Sequence, residues 1–139
     1  KAHPRFAALY SQLDIRAKGM EMSETANHAN ASWRWFFYAA AAYNVVIGGA
    51  GLADVAAPVN DRIVGLLVLG FGIVYAIVGR DPPRFGPVLW AGIVGKLGIV
   101  ALLLPDVLAG KAAPGTGAIL AGDALFTLGF LIFLLGRRR

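Results

Sequence analysis

From residue 35 onward the chain alternates between long apolar blocks and short polar breaks. The blocks run at 35–53, 63–79, 85–104 and 113–136. Crossing a hydrocarbon core about 30 Å thick takes around 20 helical residues, with about 17 as the lower limit. Each block reaches that length, the second only just, and each is predicted to be a transmembrane helix. Glycines inside the blocks do not oppose helix, because neighbouring helices can cover the exposed backbone. Asp81-Pro82-Pro83 is predicted to be a stiff turn that ends the second span and sets up the third. The expected fold is all-α, a four-transmembrane-helix bundle of two helical hairpins over residues 33–139.

The first 32 residues differ in kind. Phe6, Leu9, Tyr10 and Leu13 fall at helical spacing on one face, with Arg5, Asp14, Arg16 and Lys18 around the rest. That pattern predicts an amphipathic helix lying on the cytoplasmic membrane face or against a partner protein; a frayed tail is the plainer alternative. Ser23 to Ser32 is small and polar and reads as a linker into the first span. Residues 1–32 are thus expected to be an arm and linker. Met20 and Met22 are both candidate starts, which would make the residues before them an extension, and no cleavable signal peptide is read.

Composition turns the pattern into a class. The 139 residues are 58% hydrophobic and only 15% charged, whereas soluble domains carry about 25% charged residues. An integral membrane protein follows. Cysteine is absent, which removes disulfides, thiolate metal sites and cysteine nucleophiles. His3 and His28 lie outside the apolar blocks and make no metal-binding pair at helical spacing.

A net charge of +5 would suggest nucleic acid in a soluble protein, but its distribution gives another cause. Lys1, Arg5, Arg16, Lys18, Arg34, Arg80, Arg84, Arg137, Arg138 and Arg139 would share one side of the membrane, against Arg62 and Lys111 on the other. That bias places both termini and the middle loop in the cytoplasm, in a bacterial-type inner (plasma) membrane, with no nucleic-acid partner. Trp33, Arg34 and Trp35 are the expected interfacial anchors. Phe36, Phe37 and Tyr38 continue that aromatic belt, and Arg34 would reach to headgroups. Asn30-Ala31-Ser32 fits a glycosylation acceptor but would be unusable on the cytoplasmic side.

The two hairpins also look distantly related. Asp54-Val55 and Asp106-Val107 end the first and third spans, and Leu69-Gly70-Phe71 and Leu128-Gly129-Phe130 recur in the second and fourth. A parallel duplication about an axis along the membrane normal would account for this; chance recurrence of short apolar words is the alternative. Asn44 and Lys96 each lie ten residues before the matching aspartate, so the repeat would bring a polar residue to the same place in both hairpins.

Asn44, Lys96 and Asp123 are the polar residues deepest in the spans, with Thr127 one turn from Asp123. A central Lys or Asp costs about 2.5–3.5 kcal/mol on insertion scales, so the two are expected to meet. Both lie roughly 10–15 Å below the outer surface at 1.5 Å per residue, and Asn44 lies at a similar depth. Ala40, Asn44 and Gly48 stack four apart, a stripe that lets another helix approach closely. Gly70, Gly72, Gly122 and Gly129 are read as further helix contacts. The cluster is either a structural pin or a site, such as a proton or ion relay or an anchor for a lipid headgroup or quinone.

Other signals are weak. Gly115-Thr116-Gly117 has no following lysine to make a phosphate-binding loop. Asp54, Asp61 and Asp106 near the helix ends are expected to be solvated helix caps, with a loose cation site as the alternative. Tyr43 and Tyr75 need hydroxyl partners and are read as packing residues. No nucleophile–base arrangement and no metal-binding carboxylate cluster is visible, so no enzyme activity is expected; the sequence leaves any cofactor, bound lipid or pigment unknown. The layout is similar to that of many small four-helix bacterial membrane proteins, the DoxX-like ones included, but no stretch carries over residue by residue. The expected role is an accessory or structural subunit of a larger membrane complex, with the bilayer, other membrane subunits or a homo-oligomer as partners. A small oligomeric transporter or channel using the Lys96–Asp123 pair is the alternative.

Overall fold

The structure, a computed structural model, describes residues 4–137, with side chains described at 15–16, 18–22 and 31–137. Among the described residues it is helical with no strand. Contacts divide the chain into two units, Lys1–Trp33 and Arg34–Arg139.

In the first unit the backbone is helical from Pro4 onward, as part of helix α1 (Pro4–Ala53). The predicted linker at 23–32 is therefore helix. The reason is local: that stretch contains neither proline nor glycine and includes three alanines, so nothing in it breaks a helix. The apolar face of Phe6, Leu9, Tyr10 and Leu13 lies outside the described side chains.

The second unit holds the rest of α1, then α2 (Val59–Arg80), the short α3 (Pro82–Phe85), a single 3-10 turn at Gly86–Val88, α4 (Leu89–Leu108) and α5 (Thr116–Gly136). Four segments are long and apolar enough to cross a membrane: Ala31–Ala53, Val59–Arg80, Pro82–Leu108 and Thr116–Gly136. They match the four apolar blocks, with ends displaced by a few residues. The third helix runs past Pro105 to Leu108, so Pro105 lies inside it and removes one backbone donor near its end. The fourth starts at Thr116 rather than 113, after Gly115 takes a left-handed conformation at φ 88°, which a side chain would disfavour.

The breaks follow from the residues in them. Asp81 sits at φ −147° and ψ 80°, outside the helical region as a residue before proline should be. Its carboxylate accepts the Arg84 backbone N–H at 3.1 Å and caps α3. At the other end of α2, the Asp54 carboxylate accepts the Ala56 N–H at 3.1 Å and shapes the α1–α2 turn.

The four spans close into a ring. α1 and α2 meet at Gly48 and Gly65: a Cβ on Gly48 would lie 2.6 Å from the Gly65 carbonyl oxygen, and one on Gly65 would lie 2.6 Å from the Leu52 nitrogen. Only glycine at both positions allows the backbones this close. α1 meets α5 through Phe36–Phe126, with ring centroids 5.6 Å apart, and through Phe37–Phe133 at 4.9 Å. Tyr75 of α2 lies on Gly92 of α4, and α4 meets α5 at the Lys96–Asp123 pair. Across the middle, Tyr75 and Phe130 approach to 4.9 Å.

Polarity is inverted relative to a water-soluble bundle. Valines, leucines and isoleucines of every span face outward, Val46 and Val94 each 70% exposed, while Asn44, Lys96, Asp123 and Thr127 are buried. Such surfaces suit hydrocarbon, and buried polar groups inside them suit a bundle interior. Phe36 and Phe37 depart from the expected interfacial belt. Phe37 is wholly buried and Phe36 half-buried, because adjacent helical positions point 100° apart and the inward stripe runs Phe37, Ala40, Ala41, Asn44, Gly48. Gly70 likewise has nothing within 4 Å of where its Cβ would be, whereas Gly129 faces the Phe36 ring. The paired glycines of the apparent repeat therefore have different surroundings.

Candidate functional site

The inward stripes of three helices converge on one polar cluster. α1 contributes Asn44, α4 contributes Lys96 one turn beyond Gly92, and α5 contributes Asp123 and Thr127. Relative exposure is 3%, 5%, 6% and 4% respectively, so water does not screen these groups.

Lys96 is the hub. Its ammonium pairs with the Asp123 carboxylate Oδ1 and donates to Asn44 Oδ1 at 3.1 Å. The Asn44 amide then donates to the Val68 main-chain carbonyl at 3.4 Å, tying α2 to the same network. Thr127 joins the cluster through the backbone. Its hydroxyl donates to the main-chain carbonyl of Asp123 at 2.7 Å, within its own helix, and so braces the turn carrying the carboxylate. Among the described residues no buried side-chain nitrogen or oxygen lacks a hydrogen-bond partner.

Aromatic rings complete the enclosure, which sequence reasoning missed. The Lys96 Nζ lies 5.4 Å from the Tyr43 ring centroid, 5.8 Å from that of Tyr75 and 6.0 Å from that of Phe126. Ring faces are electron-rich and attract a desolvated cation, so three rings add to the environment that favours the ammonium here. Glycines make the room. A Cβ on Gly92 would lie 2.9 Å from Tyr75 Cε1, and one on Gly122 would lie 2.5 Å from the Tyr43 hydroxyl. Tyr43 also donates its hydroxyl to the Ile119 carbonyl at 2.7 Å. Phe126, three residues after Asp123, lies on the same helical face, a spacing that could have singled out this ring alone.

The expected anchors behave unequally. Trp35 is 74% exposed, and Trp33 is half-buried. Arg34 does not simply extend outward: its Nε donates to the Gly79 carbonyl at 3.2 Å, satisfying an orphan group in the last turn of α2. Arg62 does the same for α1, donating to Leu52 O at 3.3 Å. Arg137 donates to Pro82 O at 3.0 Å and Pro83 O at 2.6 Å.

Among the described residues no group of three His, Asp or Glu side chains could hold a metal ion. Compared with family models, with curated proteins and with solved structures, the chain matches none. The class the fold and cluster define is a four-helix, membrane-embedded bundle with a closed intramembrane ion pair.

Proposed function

We propose that this chain is a non-catalytic integral membrane protein and serves as an accessory or structural subunit of a larger membrane complex. The observation that carries the reading is the closure of the central cluster. Lys96, Asp123, Asn44 and Thr127 direct their hydrogen bonds to one another or to backbone carbonyls of the bundle. A buried charge pair so enclosed specifies which helices meet and in what register; it holds no acid or base poised toward a substrate. A conduction path lined by the same side chains draws less support, because an ion would first have to part Lys96 from two partners.

The chain lies in a bacterial-type inner membrane with both ends of the four-span unit in the cytoplasm, supported by the Lys and Arg bias across the loops. The N-terminal helix acts as an amphipathic docking arm on the cytoplasmic side. The matching Asp-Val and Leu-Gly-Phe words favour a distant duplication of one hairpin, and the contact between Asn44 and Lys96, its equivalent residues, suits a two-fold through the cluster.

Isolation from native membranes in mild detergent tests the role. A stoichiometric membrane-protein partner that co-purifies with the full chain is expected. A lone monomer, after prior cross-linking in intact membranes, would end the proposal.

A further inference from the structure

We infer that the end of the bundle around residues 79–84 is a docking surface for an anionic phospholipid headgroup, with Arg80 and Arg84 as its contacting residues. The inference rests on the chain being membrane-embedded and is independent of its role as a subunit. Four guanidinium-bearing residues converge there. Arg34 is drawn in by Gly79 O, next to Arg80, and Arg137 by Pro82 O and Pro83 O, next to Arg84.

Among the described residues the charge there has no ion-pair partner. The acceptors for Arg34 and Arg137 are neutral carbonyls, which orient a guanidinium without cancelling its charge. Asp81, a carboxylate in the same segment, accepts the Arg84 backbone N–H, and among the described residues it forms no ion pair with any of the four arginines. Arg80 and Arg84 are exposed. Arg84 lies over the Phe85 ring, its Cζ 5.2 Å from the centroid. A guanidinium carries its five N–H donors in a planar fork, a shape that grips a phosphate in bidentate fashion.

The flanks indicate a lipid rather than a soluble anion. Trp35 and Trp90, 74% and 42% exposed, follow Arg34 and Arg84 by one and six residues in the sequence, and Trp at a polar–apolar boundary sits at headgroup level. A phosphodiester attached to acyl chains would meet the arginines with its charge and the outward apolar helix faces with its tails. Basic residues beside a span attract anionic lipids through the same electrostatics.

The test is tryptophan quenching of the full chain in uncharged detergent micelles, titrated with brominated phosphatidylglycerol or brominated phosphatidylcholine. For the unmodified protein, half-quenching is expected at a mole fraction of phosphatidylglycerol about tenfold below that of phosphatidylcholine. The preference should vanish in R80Q/R84Q, which leaves the Arg34 and Arg137 contacts intact. It should also shrink strongly in the unmodified protein when salt is raised to about 1 M, a measurement that needs no variant to fold. Equal quenching by the two lipids, a preference retained in R80Q/R84Q, or insensitivity to salt would each overturn the inference. Displacement of phosphatidylglycerol by millimolar inorganic phosphate would overturn it too, since the surface would then recognise free phosphate. None of these outcomes depends on whether a partner protein co-purifies.

Discussion

The Lys96–Asp123 pair can be weighed by a double-mutant cycle. Lys96→Met and Asp123→Leu replace each polar group with an apolar one of similar volume, alone and together. The side chains are 6% and 8% exposed, so each single variant leaves an uncompensated charge inside the bundle. Removing one partner of a buried pair costs about 3–5 kcal/mol. Were the two positions independent, the double variant would lose about 6–10 kcal/mol. The structure predicts much less, because the double variant strands no charge. Its one evident debt is the Asn44 Oδ1, which loses the Lys96 donor, at about 1–3 kcal/mol for a buried unsatisfied acceptor.

The expected coupling is therefore at least about 3 kcal/mol. Reversible unfolding in mixed micelles, followed by far-UV circular dichroism as the denaturing detergent fraction rises, reads all four proteins on one scale. A double variant whose loss matches the sum of the singles would refute the reasoning: the two charges would then not be neutralising each other.

Three further outcomes follow from the geometry. Gly92→Ala would push a methyl into the Tyr75 ring, with Cε1 2.9 Å away, and should cost about 1–3 kcal/mol as overpacking does; Gly98→Ala, with nothing within 4 Å, should be neutral in the same melts. Lys96→Arg keeps the charge but brings five N–H donors to a site offering one carboxylate, one amide oxygen and ring faces, so it should lower the melting temperature despite its conservatism; an unchanged melt would show that charge alone matters there. The chain has no cysteine, so Ala112→Cys and Arg84→Cys can be labelled singly: an impermeant maleimide should reach the first in intact cells and the second only after lysis, and the reverse result would invert the orientation.

How much of this was legible in the sequence depended on how far each signal is local. The four spans were readable because a 20-residue apolar run has one cheap home. The meeting of Asn44, Lys96 and Asp123 was readable from energy alone, since two charges at similar depth in lipid have few alternatives to each other. Helical continuity through 23–32 was missed because small polar residues resemble a linker while lacking anything that stops a helix. Phe36 and Phe37 were read as interfacial from their neighbours Trp33 and Trp35, although helical phase turns Phe37 inward. The aromatic cage was out of reach, because Tyr43, Tyr75 and Phe126 come from three helices and their approach to Lys96 depends on room left by Gly92 and Gly122.

In lipid, helices gain little by hiding apolar surface from an equally apolar solvent, so association must come from close packing and polar contacts. The polar ties here sit at three heights. Arg62 reaches Leu52 O at one end, the Lys96 cluster holds the middle, and Arg34 and Arg137 reach the 79–83 carbonyls at the other. Sliding α4 by one helical turn moves Lys96 by about 5.4 Å, beyond hydrogen-bond reach of both Asp123 and Asn44. The Leu, Ile and Val surfaces alone would tolerate several such registers; the central ammonium, held on two sides and roofed by rings, tolerates one. An ammonium held by the Asp123 carboxylate and the Asn44 amide oxygen favours one arrangement of those helices, and that is the physical reason to propose it as a pin.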